Sequence, residues 1–406
     1  MKLGIVLFRN HDLRLKDQPA LYYAALYCSV VLPLYIYSNP QSEMECLGSS
    51  QRARASEVFL SAAISNLHQR LISKGSTLVS RCIDKYNAEA LVNAIDDFSR
   101  LLLHDGEVEL FMNTRFEPKA RVVDESVVKL LRNRGLKVHS YNANLLYDPQ
   151  EVSLKLTGSK WTGHWGTLMP FLNTCLKIGL PSKPLATPEN LALSEEFKNR
   201  LSTQNQQPVV DANFSIWAEK IRKSWITTEE QAEISMLQFL QGDGLRNYET
   251  QRSRVDLESS VSRLSPYLRH GLLSPRTLYW GIEDAPLSRE QKKTFGRRLF
   301  WRDLAYYQLA TFPEMSSKSI RAHYDAQKWN SLEHLKAWQQ GKTGYPMVDA
   351  AMRELYATGW MHQSMRMVVA SFLVEFLGID WRHGFQWFHD KLVDADVAIN
   401  SMMWQK

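Results

Sequence analysis

Short apolar runs alternate with helix-like segments over the first third of this chain, and the alternation then stops. Runs rich in branched residues, which predict buried strands, lie at 3–8, 30–37, 77–79, 108–112 and 136–138. Helical patterns fill the intervals, at 18–28, 52–74, 88–103 and 121–134. Strands that alternate with helices build a parallel sheet covered on both faces. The sequence therefore predicts a doubly wound parallel sheet over residues 1–140.

The rest of the chain has a different texture. Residues 141–212 are rich in proline, serine, asparagine and threonine, which predicts a long surface linker with short helices. Beyond residue 212 strands are hard to find, and helical patterns lie at 228–241, 274–282, 294–311, 346–358, 361–377 and 383–393. We therefore expect an α/β plus all-α protein with a domain at 1–140, a linker at 141–212 and a helical domain at 213–406.

Composition narrows the class of protein. Hydrophobic residues make up 44% of the 406 residues and charged residues 23%, which is typical of a folded chain. The four cysteines form no C-x-x-C pair, so we expect no zinc or iron–sulfur site and a reducing, intracellular and cytoplasmic location, or a nuclear one in a eukaryote. The uncharged stretch 18–42 is broken by prolines, so no membrane span is predicted. The net charge of +6 permits an anionic partner such as nucleic acid.

All twelve tryptophans lie after residue 160. Indoles carry much of the packing in any core. They also form stacking surfaces for bases, and a row of them can relay electrons to a bound chromophore. Composition alone leaves these three interpretations open.

Two local motifs allow either a structural or a binding role. Ser262 and Ser265 lie three residues apart at the start of a helical pattern, where hydroxyls and backbone N–H groups bind a phosphate or simply cap the helix. The segment 299–308 places Trp301, Arg302 and Asp303 in an apolar helix, either as core packing with an ion pair or as the wall of a pocket for a flat ligand.

A longer set of motifs is far more specific. Residues 341–372 contain Gly-Lys-Thr-Gly-Tyr-Pro, Val-Asp-Ala-Ala-Met-Arg, Gly-Trp-Met-His and Arg-Met in that order. Trp-Arg-Asp at 301–303 precedes this run, and Asp-Trp-Arg at 380–382 and Asp-Ala-Asp at 394–396 follow it. Together with the opening segment 8–21, these motifs resemble the photolyase/cryptochrome flavoprotein family over essentially the whole chain, and they are closest to cyclobutane pyrimidine dimer photolyases. The resemblance implies an N-terminal antenna domain, a linker and a helical FAD-binding domain.

The resemblance also implies how FAD is held. The serine loop would bind the diphosphate, Tyr248 would contact the phosphate side and Arg302 the flavin side, an ion pair would lie beside the isoalloxazine ring, and Asn400 would face flavin N5. A neutral amide suits the reduced, repair-active flavin, whereas plant cryptochromes are expected to carry aspartate there and animal ones cysteine. The predicted FAD-binding residues are Tyr248, Ser262, Leu264, Ser265, Arg302, Arg366, Asp394, Asp396 and Asn400.

Further residues are implied for DNA and for electron transfer. Trp301 would stack on the lesion, with Gln363, Met367 and Asn400 as further catalytic residues, while Arg252 and Arg298 would contact DNA. The predicted photoreduction chain is Trp404, Trp381 and Trp329. The implied activity is repair of cyclobutane pyrimidine dimers by an electron from excited FADH⁻, carried out by a monomer on damaged DNA that flips the lesion into its pocket.

Some positions depart from the family pattern. Arg298 stands where dimer photolyases carry glutamate, and Gln363 stands where asparagine is typical. The sequence ends at Lys406, whereas members continue for several dozen residues, so we expect an FAD domain without its usual C-terminal end and with a more open flavin site. Lys119 and Ala120 replace the pair that folate-binding members use, so these positions give no support for a folate antenna. A deazaflavin or no antenna chromophore is equally possible, and the choice among folate, deazaflavin and none stays open. A cryptochrome-like photoreceptor without repair and a DNA-binding relic without flavin are the alternatives.

Overall fold

The computed structural model describes residues 1–49, 52–102, 106–157, 163–202 and 215–405. In this part of the chain, no helix is both long and apolar enough to cross a membrane.

The N-terminal part is the predicted parallel sheet. Its strands are β1 (Lys2–Phe8), β2 (Val30–Tyr37), β3 (Val79–Cys82), β4 (Glu107–Asn113) and β5 (Lys137–Tyr141). They lie in the order β3-β2-β1-β4-β5, and every neighbouring pair is parallel. In the central strand, Ile5 pairs with Leu32 on one side and Leu110 on the other. The doubly wound sheet is thereby confirmed.

Helices cover both faces of this sheet. They are α1 (Pro19–Tyr27), α2 (Pro40–Cys46), α3 (Arg54–Ser73), α4 (Ala88–Leu102) and α5 (Pro118–Asn133). Val6 and Phe8 of β1 belong to the core that contains buried residues of α1 and α3. Ile5 and Leu7 point to the other face, into the core that contains buried residues of α4 and α5. Burial on both faces explains why the strands read as continuous apolar runs.

The prediction for the third strand is displaced. A strand was expected at 77–79, but β3 begins at Val79 and includes Arg81 and Cys82. It is an edge strand that pairs only with β2, from Leu34–Val79 to Tyr37–Cys82. An edge strand tolerates polar and exposed side chains, so the apolar pattern marked its beginning poorly.

The segment expected to be a surface linker is packed in part. It contains α6 (Pro149–Thr157), α7 (Leu168–Ile178) and α8 (Glu195–Ser202). In α7, Phe171 and Cys175 are buried, so the surface prediction is wrong there. Their four-residue spacing gives one apolar helix face, which the many prolines and serines around it obscured. The boundary between 212 and 213 lies outside the described residues.

Residues 215–405 contain helices and no strand. The helices are α9 (Ile216–Lys223), α10 (Glu229–Gln241), α11 (Asp243–Gln251), α12 (Ser265–Arg269), α13 (Pro275–Asp284), α14 (Arg289–Thr311), α15 (Leu335–Gln340), α16 (Pro346–Thr358), α17 (Gln363–Ser371), α18 (Trp381–Lys391) and α19 (Val397–Trp404). The helical half is confirmed.

Three helix predictions need correction. α14 begins five residues earlier than expected, because Ser288 and Gln291 form a capping box at its start. The single helix expected at 361–377 is α17 followed by a π-helical turn, Phe372–Phe376. α9, α11, α15 and α19 were not expected, and in α19 the buried residues lie on most sides and leave little helical periodicity to detect.

The loop after β1 joins the two halves. The buried Asp17 carboxylate accepts hydrogen bonds from Ser274 and from Nη2 of Arg276 at 2.7 Å. Arg14 donates to the carbonyl of Gly271 at 3.0 Å. Gly271 has φ +72°, and a Cβ there would collide with the backbone of His11. This close, buried docking fixes the helical half against the sheet.

Candidate functional site

A cleft of about 1130 Å³ opens in the helical half, and we call it the main cleft. Its walls come from five helices, α11, α12, α13, α14 and the start of α17. The loop before α12, the loop before α17 and the segment that leads into and begins α19 complete them. It is lined by Tyr248, Val261, Ser262, Arg263, Leu264, Ser265, Leu268, Arg269, Leu278, Phe295, Arg298, Leu299, Arg302, Trp360, Met361, Gln363, Arg366, Asp394, Asp396 and Ile399.

One face of α14 forms a wall of the main cleft. Phe295, Arg298, Leu299 and Arg302 recur at three- and four-residue intervals, so they lie on one side of the helix. Arg298 donates through Nε to the hydroxyl of Tyr248 at 3.2 Å. Arg302 donates to the carbonyl of Asn144, in the segment that follows β5.

The serine loop forms another part of the wall. Ser262, Leu264 and Ser265 all line the main cleft, as does Arg263 between them. Leu264 donates its backbone N–H to the Ser262 hydroxyl at 3.4 Å and is the N-cap of α12. Arg263 has φ +51°, which is uncommon for a residue with a side chain.

Charges are paired at the far wall. Arg366 donates from its two terminal nitrogens to Asp394, at 3.2 and 2.9 Å. Asp396 accepts from the Tyr306 hydroxyl at 2.7 Å and, as the N-cap of α19, from the N–H of Ile399 at 3.0 Å. Two-point contacts of this kind fix the orientation of each carboxylate.

A second cavity of about 560 Å³, the side pocket, adjoins the main cleft and shares Gln363, Arg366, Asp394, Asp396 and Ile399 with it. Met367, Asn400 and Trp404 also line the side pocket, and they do not line the main cleft. Asn400 donates from Nδ2 to the carbonyl of Phe385 at 3.1 Å. This bond uses one of the two Nδ2 protons, so the Asn400 amide keeps one N–H donor and its Oδ1 acceptor for a ligand.

Of the three predicted relay tryptophans, Trp404 ends α19 and packs against α18, the helix that begins with Trp381. Trp404 packs edge-on against Phe388, with ring centroids 5.0 Å apart, and its indole also lies against Gly384. Trp381 lies one turn before Gly384 on the same helix and is buried. Trp329 is partly exposed, and its neighbour Asn330 donates to the carbonyl of Gly378 at 2.8 Å, close in sequence to Trp381.

Four predicted residues line neither cavity. Trp301 lies on α14 three residues after Arg298 and is half-buried. Arg252 is the C-cap of α11 and donates its N–H to the carbonyl of Tyr248 at 3.1 Å. Trp381 and Trp329 are the other two, and their positions are described above. The roles assigned to all these residues stay predictions.

The sequence analysis missed other cleft residues, among them Arg269 and Trp360. Arg269 is buried and donates through Nε to the carbonyl of Ala395 at 2.6 Å, which ties α12 to the Asp394–Asp396 segment. Trp360 belongs to the Gly-Trp-Met-His motif. The sequence analysis used this motif for the family resemblance but assigned no role to the Trp360 side chain.

Two ionisable groups behind the cleft have shifted pKa values. Burial raises the pKa of Asp303 to about 7, and the nearby Arg302 guanidinium opposes this shift. Asp303 accepts from the backbone N–H of Tyr147 at 2.9 Å. Burial lowers the pKa of His389 to about 4, with a further contribution from Arg269. His389 is therefore neutral at pH 7.

The donor set of the main cleft fits FAD. Five arginines and two aspartates line it, and the serine hydroxyls add neutral donors, so an anionic diphosphate meets an excess of positive charge. Leucine, phenylalanine and methionine side chains supply apolar surface for flat rings. The residues that would hold the group are therefore present in one cleft.

A third cavity, of about 1590 Å³, contains none of the predicted site residues. It lies beyond the end of β2, between α3 and α9, and Tyr37 and Trp217 are among its aromatic walls. Glu43 and Arg54 add charge to it.

Family models match both halves of the chain. A model described as DNA photolyase matches residues 4–189. A model described as the FAD binding domain of DNA photolyase matches residues 295–406.

Relatives of both kinds within this group resemble the chain. A deoxyribodipyrimidine photo-lyase of Agrobacterium fabrum is 32% identical, and the match covers 99% of this chain and 79% of that protein. Cryptochrome-2 of Arabidopsis thaliana is 31% identical, and the match covers 100% of this chain and 64% of that protein.

Solved structures agree with these matches. A bacterial class III photolyase from Agrobacterium tumefaciens superimposes with a TM-score of 0.82 at 31% identity, covering 99% of this chain and 78% of the other. An archaeal photolyase from Sulfolobus tokodaii, solved with two FAD molecules, gives 0.73 at 26% identity, covering 100% and 82%.

Proposed function

This chain belongs to the photolyase/cryptochrome family of FAD-binding proteins, and we propose that it repairs cyclobutane pyrimidine dimers in damaged DNA, driven by blue light. The observation that carries the proposal is Asn400 in the wall of the side pocket, with its amide oriented by Phe385. A neutral amide accepts or donates a hydrogen bond without gaining charge. Such a partner suits a flavin that must stay reduced.

The chain's own residues divide the remaining work. The serine loop and the cleft arginines hold the diphosphate, and the Arg366–Asp394 pair sets the charge beside the flavin ring. Bound FAD supplies, in its reduced and light-excited form, the electron that opens the dimer. Trp404, Trp381 and Trp329 restore the reduced state by carrying an electron inward from the surface.

Trp301 and Arg298 are proposed to bind the DNA. They lie three residues apart on α14, so their side chains are neighbours on the helix surface, and Arg298 lines the main cleft. The indole stacks on the flipped lesion, while the guanidinium binds a phosphate. The protein acts as a monomer with the domain division 1–140, 141–212 and 213–406.

The resemblance also predicts an antenna chromophore, a folate or a deazaflavin. The third cavity supports this because its aromatic walls can stack on a flat ring.

Arg298 favours a second candidate, a cryptochrome-like photoreceptor that binds FAD and repairs nothing. A guanidinium has donors only, so it cannot accept hydrogen bonds from the lesion bases as a carboxylate does. Its Nε is already directed at Tyr248. The similarity to a plant cryptochrome agrees with this alternative.

One experiment separates the two candidates. The purified chain is reconstituted with FAD, photoreduced under blue light with a thiol reductant, and incubated with ultraviolet-damaged oligothymidine, with a dark sample as control. Light-dependent recovery of thymine absorbance supports repair, whereas photoreduction without recovery refutes dimer repair and favours the photoreceptor.

A substitution then ties repair to the proposed surface. Trp301→Ala removes one stacking partner, worth about 1–3 kcal/mol per base, so binding of damaged oligothymidine should weaken roughly 5- to 150-fold. Binding of the undamaged oligonucleotide should change little. Equal weakening for both substrates would show that Trp301 does not contact the lesion.

A further inference from the structure

A stack of three side chains supports the serine loop from outside. The Arg263 guanidinium lies 5.0 Å from the centre of the Trp225 ring and 4.7 Å from that of Trp360. A planar guanidinium can be attracted to two ring faces at once, whereas an ammonium group is a compact, strongly hydrated charge. We call Trp225, Arg263 and Trp360 the indole clamp.

Both tryptophans are hydrogen-bonded to one residue at the end of α16, Trp225 through its indole and Trp360 through its backbone. Trp225 donates through Nε1 to the carbonyl of Thr358 at 2.8 Å. Trp360 donates its backbone N–H to the Thr358 hydroxyl at 3.2 Å. Gly359 between them has φ +71°, and a Cβ there would lie 2.6 Å from Val393. The Trp225 indole and the Trp360 backbone are therefore both anchored to the end of α16.

The clamped residue has an unfavourable backbone. Arg263 and Asp17 are the non-glycine residues with positive φ among those described. The left-handed region is disfavoured for a residue with a Cβ, so such a conformation persists only where its surroundings hold it. The clamp supplies that hold at the position between Ser262 and Ser265.

We propose that Arg263 is a positioning residue, and that the indole clamp sets the serine loop in the conformation that receives the FAD diphosphate. The inference rests on the proposed function only in placing FAD in the main cleft, and repair of DNA is not required for it. Arg263 acts through the loop backbone, and its selectivity is for the diphosphate rather than for the flavin ring.

The test compares two ligands on the full chain. Dissociation constants are measured for FAD and for riboflavin, which has the flavin ring without the diphosphate. The unsubstituted chain should prefer FAD. Arg263→Lys keeps the charge and loses the planar stack, so FAD affinity should fall roughly 3- to 30-fold while riboflavin affinity holds.

A second variant reaches the clamp from outside the cleft. Trp225 does not line the main cleft, so Trp225→Leu removes one ring without touching the ligand. It should lower FAD affinity in the same direction and again spare riboflavin. Arg81→Lys is the matched control, because Arg81 lies 4.9 Å from the ring centre of Phe98 in the α/β half.

The outcomes separate the possible roles. Unchanged FAD affinity in Arg263→Lys overturns the proposal, since a charge alone would then suffice. A loss in Arg263→Lys with none in Trp225→Leu overturns it too, because it indicates direct contact with the ligand. Equal losses for FAD and riboflavin indicate a collapsed cleft and refute selectivity for the diphosphate. If Trp225→Leu does not fold, Trp225→Phe takes its place, because it keeps a ring but loses the hydrogen bond to the Thr358 carbonyl. Failure of repair with the FAD effect intact would refute only the proposed function.

Discussion

Replacing Gly384 with alanine tests the placement of the Trp404 indole directly. Gly384 lies inside α18, and a Cβ there would come far closer than an ordinary contact to the edge of the Trp404 ring and would lie 2.7 Å from Leu373 Cδ2. The indole would have to retreat by roughly 1 Å to restore normal packing. The side pocket, which Trp404 lines, offers the space for that movement.

Two opposing effects set the expected magnitude. Alanine in a helix interior is favoured over glycine by about 1 kcal/mol. Overpacking a dense core costs about 1–3 kcal/mol. We therefore expect the free energy of unfolding to fall by about 1 kcal/mol. The displaced indole should also slow light-driven reduction of bound FAD, while the amount of FAD bound stays nearly constant.

Gly296 provides a matched control within α14. A Cβ there meets only Ile282, at 3.9 Å, so Gly296→Ala should stabilise the chain by about 0.5–1 kcal/mol and leave photoreduction unchanged. Denaturant unfolding and the initial rate of photoreduction measure both effects. Equal stabilisation by the two substitutions, with equal photoreduction rates, would refute the contact between Trp404 and Gly384.

Two further predictions concern α18. Trp381→Phe should slow photoreduction and leave repair by chemically reduced enzyme intact, whereas Trp387→Phe on the same helix should affect neither, and equal rates in the two variants would contradict the relay. The unfolded chain binds a proton at His389 near pH 6.5 and the folded chain only near pH 4, so His389 should contribute about 1.4 kcal/mol per pH unit to the loss of stability as the pH drops between these values. His389→Phe should reduce the slope by that amount in denaturant unfolding across this window, while His270, whose pKa burial lowers to about 3, keeps its own contribution, and an unaltered slope would assign the acid sensitivity to other groups.

The sequence predicted best the strands that form continuous runs of branched, apolar residues. β1 and β2 were expected within one residue of their observed bounds, since their branched, apolar runs are buried. α19 escaped detection because Val397, Ala398 and Met402 are all buried around it. The π-helical turn after α17 escaped for another reason: local periodicity does not distinguish it from a continuing helix.

The sequence predicted the residues that line the candidate site better than the residues that hold them in place. The family resemblance predicted the serine loop and an ion pair between Arg366 and Asp394, and the structure brings both into one cleft. The indole clamp was not identified, because Trp225 and Trp360 lie far from Arg263 in sequence and only the fold brings their rings against its guanidinium. Contacts between distant segments leave no mark in local spacing, so supports of this kind have to be read from the fold.

The arrangement of the two cavities also explains how repair and light sensing can diverge within one fold. Asn400 lines the side pocket alone, whereas Arg298 lines the main cleft alone, on a different helix. A substitution on the exposed edge of α14 therefore changes what the cleft binds from solution without altering the groups beside Asn400. Arg298 differs from the photolyase pattern and Asn400 follows it, so under the proposed function the departure lies on the DNA side of the site and not beside the flavin. Loss of repair would accordingly be traced to α14, with photoreduction through Trp404 retained.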